Sequence, residues 1–339
     1  MKFGAVPVTE AEGAILAHSL RLGDGRLRKG VVLNAEHIAT LRDAGISEVS
    51  VARLESGDIH EDEAAQVLAK ALCEGAGSIH CTAPFTGRVN LIADGPGVVL
   101  IDAARIDAAN AVDPMITVAT VAPFHQLQAG GMAATVKIIA YGVSGTALNA
   151  AADHAHGAIR FAGPVYGSAS LILTEIPGGP GDKGIDAVEN RLKGLGMRLC
   201  ETLRCAHDEA ALAEAIGQAQ GDVVLILTAS ATSDPHDTAP GALIRAGGRI
   251  ERFGLPVDPG NLLFLGDIGG RPVIGLPGSA RSPVLHGADW VLARVACGVA
   301  LDSAAMAAMG VGGLLKEIPT RPQPRQPGAG RAPRTDGTN

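Results

Sequence analysis

Residues Val223–Thr228 read VVLILT, and Ala229–Pro240, directly after them, read ASATSDPHDTAP. The same stretch continues through VDPGN (257–261) and closes with RPVIGLPGSARSP (271–283). An unbroken β-branched and leucine run is the pattern of a strand buried on both faces. Here it feeds a loop of hydroxyls and acids that ends in proline. Open α/β sheets place ligands at the carboxyl ends of their strands, so this loop is the first candidate site.

The pattern repeats outward from this stretch. LILTEI (171–176) reads as a strand, GIDAVENRLKGLG (184–196) as a helix, MRLCETLR (197–204) as a strand and DEAALAEAIGQAQ (208–220) as a helix. VVLILT is the third strand, and GALIRAGG (241–248) begins the third helix. Such alternation implies a parallel sheet with right-handed crossovers, an α/β fold. LLFLGDIGGRPVIGL (262–276) reads as an added hairpin turning at Gly269-Gly270, and SPVLHGADWVLARVACG (282–298) as a closing helix.

Nearer the N-terminus, Thr9 and Glu12 form a capping box ahead of AILAHSL (14–20), which predicts a short helix. Gly23-Asp24-Gly25 marks a turn, and VVL (31–33) a short strand. Asn34 is a suitable N-cap for AEHIATLRDA (35–44), with Gly45 closing the helix and EVSVARL (48–54) returning as a strand. Residues 62–72 carry helical periodicity. From about 75 to 163 the texture changes to short β-branched runs (RVNLI, GVVLID, MITVATV, ATVKIIAYGV) punctuated by Gly and Pro, with a helix at 102–111. The expected organisation is a mixed α+β module at 1–74, a strand-rich middle module at 75–163 and an α/β domain at 164–315. A Pro/Arg-rich tail at 316–339 completes it, too poor in apolar residues to offset its ordering entropy.

Composition narrows the function classes. Net charge is -7 and the pI about 5.8, which argues against general nucleic-acid binding. No run approaches the roughly 18 apolar residues of a membrane span. The opening MKFGAVPVTEAEG lacks the apolar core of a signal peptide, so a cytoplasmic location is expected. The five cysteines (Cys73, Cys81, Cys200, Cys205, Cys297) are scattered and odd in number, which fits buried thiols better than a disulfide framework or a zinc site.

The candidate chemistry concentrates in the 228–240 loop, with Thr228, Ser230, Thr232, Ser233, Asp234, His236, Asp237 and Thr238. Hydroxyls and backbone amides suit phosphate oxygens. A carboxylate beside them suits Mg²⁺, which takes oxygen ligands and arrives with phosphate and water. The same residue types also make ordinary turns and helix caps. In the LPGSARSP turn, Ser279 and Ser282 are equally readable as caps of the next helix. GPGDKG (179–184) matches G-x-G-x-x-G with Glu201 downstream, but Pro180 sits inside the turn, and a flexible rim is the better reading. His154-Ala155-His156 and His80-Cys81 are isolated pairs in Ala/Gly-rich surroundings and carry no metal motif.

These residues resemble a known group. VVLILT with its loop, Asp237-Thr238-Ala239-Pro240, Pro259-Gly260 and PVIGLPGS are similar to the molybdopterin-binding domain shared by MoeA molybdenum insertases and Mog/MoaB adenylyltransferases. EAEGAILAHSL and RKGVVLNAEHIATLRDAGISEVSV resemble the opening of MoeA proteins. The resemblance implies a three-layer MoaB/Mog-like C-terminal domain and a ligand, molybdopterin or its adenylylated form. Thr228, Ser230, Thr232, Ser233, Thr238, Pro259, Gly260, Pro277, Gly278 and Ser279 would contact that ligand. Asp237, with Asp234, would do the catalytic work, and Asp237 would hold Mg²⁺. It further implies nucleotide and molybdate as co-substrates, a nucleotidyltransferase or molybdoenzyme as partner, and a homodimer. The chain also departs from the pattern. Ser230-Ala231 replaces Gly-Gly, Asp258 replaces the lysine before Pro-Gly, Ser279-Ala280 replaces Asn-Pro, and His236 stands where Mog-type loops carry arginine. Two readings therefore stand side by side: a molybdopterin molybdotransferase, and a non-catalytic carrier or sensor of the cofactor.

Overall fold

The Val223–Leu227 strand lies inside a six-stranded sheet, and all five of its residues are buried. That explains its unbroken apolar run: neither face meets water. The computed structural model describes residues 1–23 and 25–315, a mixed α/β chain divided into two compact units. The tail expected at 316–339 lies outside the described residues.

The unit that carries the candidate loops comprises Tyr166–Lys193, Met197–Ala296 and the residues from Ala300. Its sheet runs, in spatial order, Arg198–Ala206, Ser168–Glu175, Val223–Leu227, Arg271–Leu276, Phe264–Ile268 and Arg249–Phe253. The first four strands are parallel and the last two antiparallel, added through the hairpin at Gly269-Gly270. Helices Ile185–Lys193, Glu209–Gln218, Thr238–Arg245 and Gly287–Ala296 alternate with the strands as the sequence predicts. Leu212, Ile216, Ala242 and Leu243 fill the core on one face with Ile172, Val224, Ile226 and Phe264. Close packing explains one glycine: a Cβ on Gly275 would come within 1.9 Å of Cε1 of the buried Phe264 ring.

The other unit spans Met1–Val165 with Gly194–Gly196 and Cys297–Val299. Its first part pairs Lys2–Pro7 and Ile15–Leu16 with Glu48–Arg53. Asn34 caps the helix Ala35–Asp43 by accepting the His37 amide. Further on, a four-stranded antiparallel sheet (Ile116–Thr120, Met132–Ile138, Arg88–Ala93, Ile79–Cys81) and a three-stranded one pack with helices Glu61–Leu72, Ala103–Val112 and Gly145–Ala155.

Several expectations are corrected. No helix forms over 14–20: Gly13 turns the chain at φ 75°, and Ile15 and Leu16, both buried, join the sheet opposite Ala52 and Val51. The expected strand at 31–33 reduces to one bridge between Val32 and Ile15. The closing helix begins at Gly287, leaving 282–286 as loop. Strand Arg249–Phe253 and helices Gly145–Ala155 and Ser303–Ala307 were not legible from periodicity.

Candidate functional site

Topology fixes which loops share an edge. The parallel strands end at Glu175, Ala206, Leu227 and Leu276. Phe253 pairs with Phe264, which pairs with Gly275, so Arg249–Phe253 also ends on that side. Segments 176–184, 228–237, 254–263 and 277–286 therefore leave one carboxyl edge of one sheet, where α/β sheets hold ligands.

Specific contacts tie these segments together. The Arg281 guanidinium donates to the carbonyls of Thr228 and Lys183, each at 2.7 Å, bridging three loops. Burial pulls the Arg281 guanidinium below its ordinary pKa. The Gly287 amide donates to the Pro259 carbonyl at 2.8 Å. A Cβ on Gly260, whose φ is 142°, would come within 3.0 Å of the Gly287 backbone. Thr174, buried at the end of its strand, accepts the Ala229 amide at 2.8 Å and meets Nδ1 of His207 at 2.9 Å.

Within 228–238 the predicted residues divide by direction. Thr228 and Thr232 are buried; the Thr228 hydroxyl donates to the Ser230 carbonyl at 2.6 Å and lies 3.4 Å from Thr232 Oγ1. Their hydroxyls shape the loop from within. Ser230, Ser233, Asp234 and His236 are exposed. Among the described residues nothing accepts from the amides of Ser230, Ala231 or Thr232. Asp237 caps the helix Thr238–Arg245: Oδ1 accepts the Thr238 amide at 2.7 Å and Oδ2 the Ser233 amide at 3.0 Å. Asp234 Oδ1 accepts the His236 amide at 2.8 Å and contacts Nδ1 of His236 at 2.9 Å. Those two contacts hold the Asp234 carboxyl below its ordinary pKa, the backbone bond contributing most. The donors present are oxygens and amides. Among the described residues no group of three His, Cys, Asp or Glu converges as a metal site.

The Pro277-Gly278-Ser279 turn enters a short 3-10 segment, Gly278–Arg281, and Ser279 and Ser282 do not cap the helix as expected. Ser279 Oγ instead lies 2.7 Å from Nε2 of His286, a histidine only 1% exposed. His286 Nδ1 accepts the Ala288 amide at 3.0 Å, and Asp289 Oδ2 accepts the His286 amide at 2.7 Å. Arg191 holds the turn from beneath, donating to Asp289 Oδ1 at 2.6 Å and to the carbonyls of Ala280, Ser282 and Val284 at 2.7, 2.8 and 3.2 Å.

Arg281, His286 and Arg191 escaped the sequence reading. The available signal was local: HGAD (286–289) has the i, i+3 spacing of a reciprocal cap, with histidine in place of serine. Arg191, on a helix face 98 residues from Asp289, gave none.

The GPGDKG rim lies at the same edge, where Asp182 pairs with Arg204 at 2.5 Å and raises the guanidinium pKa. Glu201, the acid a dinucleotide site would need, is occupied elsewhere. It accepts the buried Ser170 hydroxyl at 2.5 Å and the Gln220 amide at 2.6 Å, and Gln220 precedes its strand at the opposite edge.

A model of a domain of unknown function, DUF8806, matches residues 5–53. No curated protein matches the chain significantly. Among solved structures, the chain is similar to the molybdopterin biosynthesis MoeA protein from Pyrococcus horikosii at 14% identity and a TM-score of 0.31, over 88% of this chain and 76% of that one. It is also similar to a molybdenum cofactor biosynthesis protein from Pyrococcus furiosus at 12% identity and a TM-score of 0.22, over 83% and 59%. At these scores and identities the likeness decides neither fold nor function. Among the described residues no helix is long and apolar enough to cross a membrane.

Proposed function

We propose that the carboxyl edge of the six-stranded sheet binds molybdopterin, or its adenylylated form, and that the chain acts at the molybdate-insertion step of molybdenum cofactor biosynthesis. The observation that carries this is the convergence of three separate segments. The 228–240 loop, Pro259-Gly260 and Pro277-Gly278-Ser279, each quoted for the resemblance, leave one sheet edge and are linked through Arg281 and Gly287.

In this reading the unengaged amides of Ser230, Ala231 and Thr232 receive the ligand phosphate, as loops of successive N–H groups do. Arg281 supplies the cation that Asp258 does not. Asp237 and Asp234 are oxygen donors suited to Mg²⁺ carried in by a phosphate; the ion would neutralise phosphate charge during transfer or release. Both Asp237 oxygens already accept an amide, so its carboxylate is fixed in place before any ligand arrives.

The test incubates purified protein with molybdopterin, ATP-Mg²⁺ and molybdate and follows nucleotide transfer or release. Asp237→Asn should abolish turnover; asparagine keeps the helix cap but has one acceptor oxygen where Asp237 uses two, so stability should fall by about 1–3 kcal/mol without loss of the fold. Unchanged turnover would remove Asp237 from the mechanism. A second reading, a non-catalytic cofactor carrier, is favoured by the same engagement of Asp237 in capping and by the Cβ atoms at Ser230-Ala231. Tight pterin binding without nucleotide chemistry would select it.

A further inference from the structure

Ser279, His286 and Asp289 have the composition of a nucleophile, a base and an orienting acid, with Ser279 Oγ 2.7 Å from the imidazole. The hydrogen bonds run the other way. In a hydrolytic triad the histidine Nδ1–H donates to the carboxylate, which leaves Nε2 free to take the serine proton. Here Nδ1 accepts the Ala288 amide at 3.0 Å, so it carries no proton. Both Asp289 oxygens are engaged by other donors: Oδ2 takes the His286 backbone amide and Oδ1 the Arg191 Nε. The proton of a neutral ring whose Nδ1 accepts resides on Nε2.

We infer that His286 is a positioning residue that fixes Ser279 as a hydrogen-bond donor to an oxyanion of the phosphate class, and that Ser279 is not a nucleophile. The Nε2–H donates to Ser279 Oγ, and the hydroxyl keeps its own proton for another acceptor. The ring is 1% exposed, whereas Ser279 is exposed on the ligand edge. With Nε2–H as the donor in that contact, no other group among the described residues accepts the Ser279 hydroxyl proton. Donors gather at this edge beside the Asp234 and Asp237 carboxylates: the Ser279 O–H and the amides of Ser230–Thr232 face an acceptor oxygen, and Arg281, already bound to the Thr228 and Lys183 carbonyls, adds positive charge. This inference rests on the strand-edge site but not on molybdopterin being its occupant.

Three measurements on the full chain test it. Imidazole ¹⁵N spectra, with His286 assigned by its loss in His286→Gln, should show a protonated Nε2 and a bare Nδ1; the reverse pattern overturns the inference. A fluorophosphonate probe should leave Ser279 unlabelled, and labelling that disappears in Ser279→Ala overturns it. Titration with inorganic phosphate should show binding that weakens about tenfold in Ser279→Ala, the loss expected for one hydrogen bond to a charged acceptor. His286→Asn keeps the acceptor for Ala288 but loses the donor to Ser279, and should weaken binding similarly. His286→Gln can still donate from its amide and should stay within about twofold of wild type. No phosphate binding by the wild type, or equal binding by wild type and Ser279→Ala, overturns the donor role. If His286→Asn does not fold, the spectra and the Ser279→Ala comparison still decide the matter. Phosphate binding of this pattern without pterin binding would reject the proposed ligand while leaving the donor assignment intact.

Discussion

Replacing Arg191 by alanine should be the most damaging change that touches no ligand contact. All five N–H donors of this guanidinium are used: Nε on Asp289 Oδ1, Nη1 on the carbonyls of Ala187 and Ala280, Nη2 on those of Ser282 and Val284. Only the Ala187 bond stays within its own helix; the other four hold the 280–289 segment. The Arg191 side chain is 9% exposed and that of Asp289 19%, so solvent screening is limited. Hydrogen bonds contribute about 0.5–1.5 kcal/mol each, and about 1.5–3 where a charge takes part. Some of the released carbonyls regain water when the loop loosens. A net loss of about 3–4 kcal/mol remains, in line with about 3–5 for removing one partner of a buried pair. Arg191→Lys keeps the charge but lacks the fork, and should lose about half as much. The chain has one tryptophan, Trp290, on the helix Gly287–Ala296. Its fluorescence therefore reports unfolding of this unit. With m about 2 kcal/mol/M, the urea midpoint of Arg191→Ala should fall by about 1.5–2 M at unchanged slope. A fall below about 0.5 M would refute the claim that this side chain holds the turn.

Other changes probe the frame beneath the site. Gly275→Ala forces a Cβ into the Phe264 ring and should cost about 1–3 kcal/mol or more by overpacking, read by the same fluorescence; an unshifted midpoint would contradict the packing described. Thr174→Val removes the acceptor of the Ala229 amide and should cost about 1–3 kcal/mol, with faster hydrogen exchange at Ala229 as the specific sign. For pH, Asp222 is held below its ordinary value chiefly by the Ser168 hydroxyl, and Glu201 by the Ser170 hydroxyl. Folded-state pKa values below the unfolded ones give stability that is present above about pH 4 and is lost as the pH falls through the folded values. Asp222→Asn should therefore flatten the acid limb of the stability profile and leave its shape above about pH 5 unchanged. An acid limb identical to wild type would assign it to other groups.

How far the sequence could be read depended on how local each cause was. The α/β alternation from Ser168 to Arg245 was legible because the strands Ser168–Glu175 and Val223–Leu227 are apolar enough to signal burial and the helices between and after them have apolar faces. The cap at Asn34 was local too, satisfied by the amide three residues on, whereas Asp237, read as a catalytic acid, turned out to cap a helix. AILAHSL misled for a physical reason. Its composition suits a helix, but Ile15 and Leu16 gain more by completing a sheet with residues 51 and 52, a long-range pairing that no local pattern reports. Arg249–Phe253, RIERF, alternates weakly because it is the edge strand and every residue except Arg249 is half-buried.

The site shows the same division. The three segments were legible by type, and the polar loop, Pro259-Gly260 and the Leu-Pro-Gly turn lie on one sheet edge. Arg281, which bridges the loops, was not legible, because its partners are backbone carbonyls far away in sequence. At 258 the resemblance expects lysine. The chain has aspartate there, and its main chain pairs with Gly313 and Leu315. In the proposed site positive charge enters instead at Arg281, two residues after Ser279. Arg281 reaches Thr228 and Lys183 from a turn that Arg191 also holds, and Ser279 on the same edge contacts His286. The substitutions at 258 and 279 are thus coupled to residues distant in sequence. Restoring the family residues one at a time, Asp258→Lys or Ser279→Asn, should therefore fail to restore family-like behaviour, whereas a change at Arg281 should disturb all three loops together.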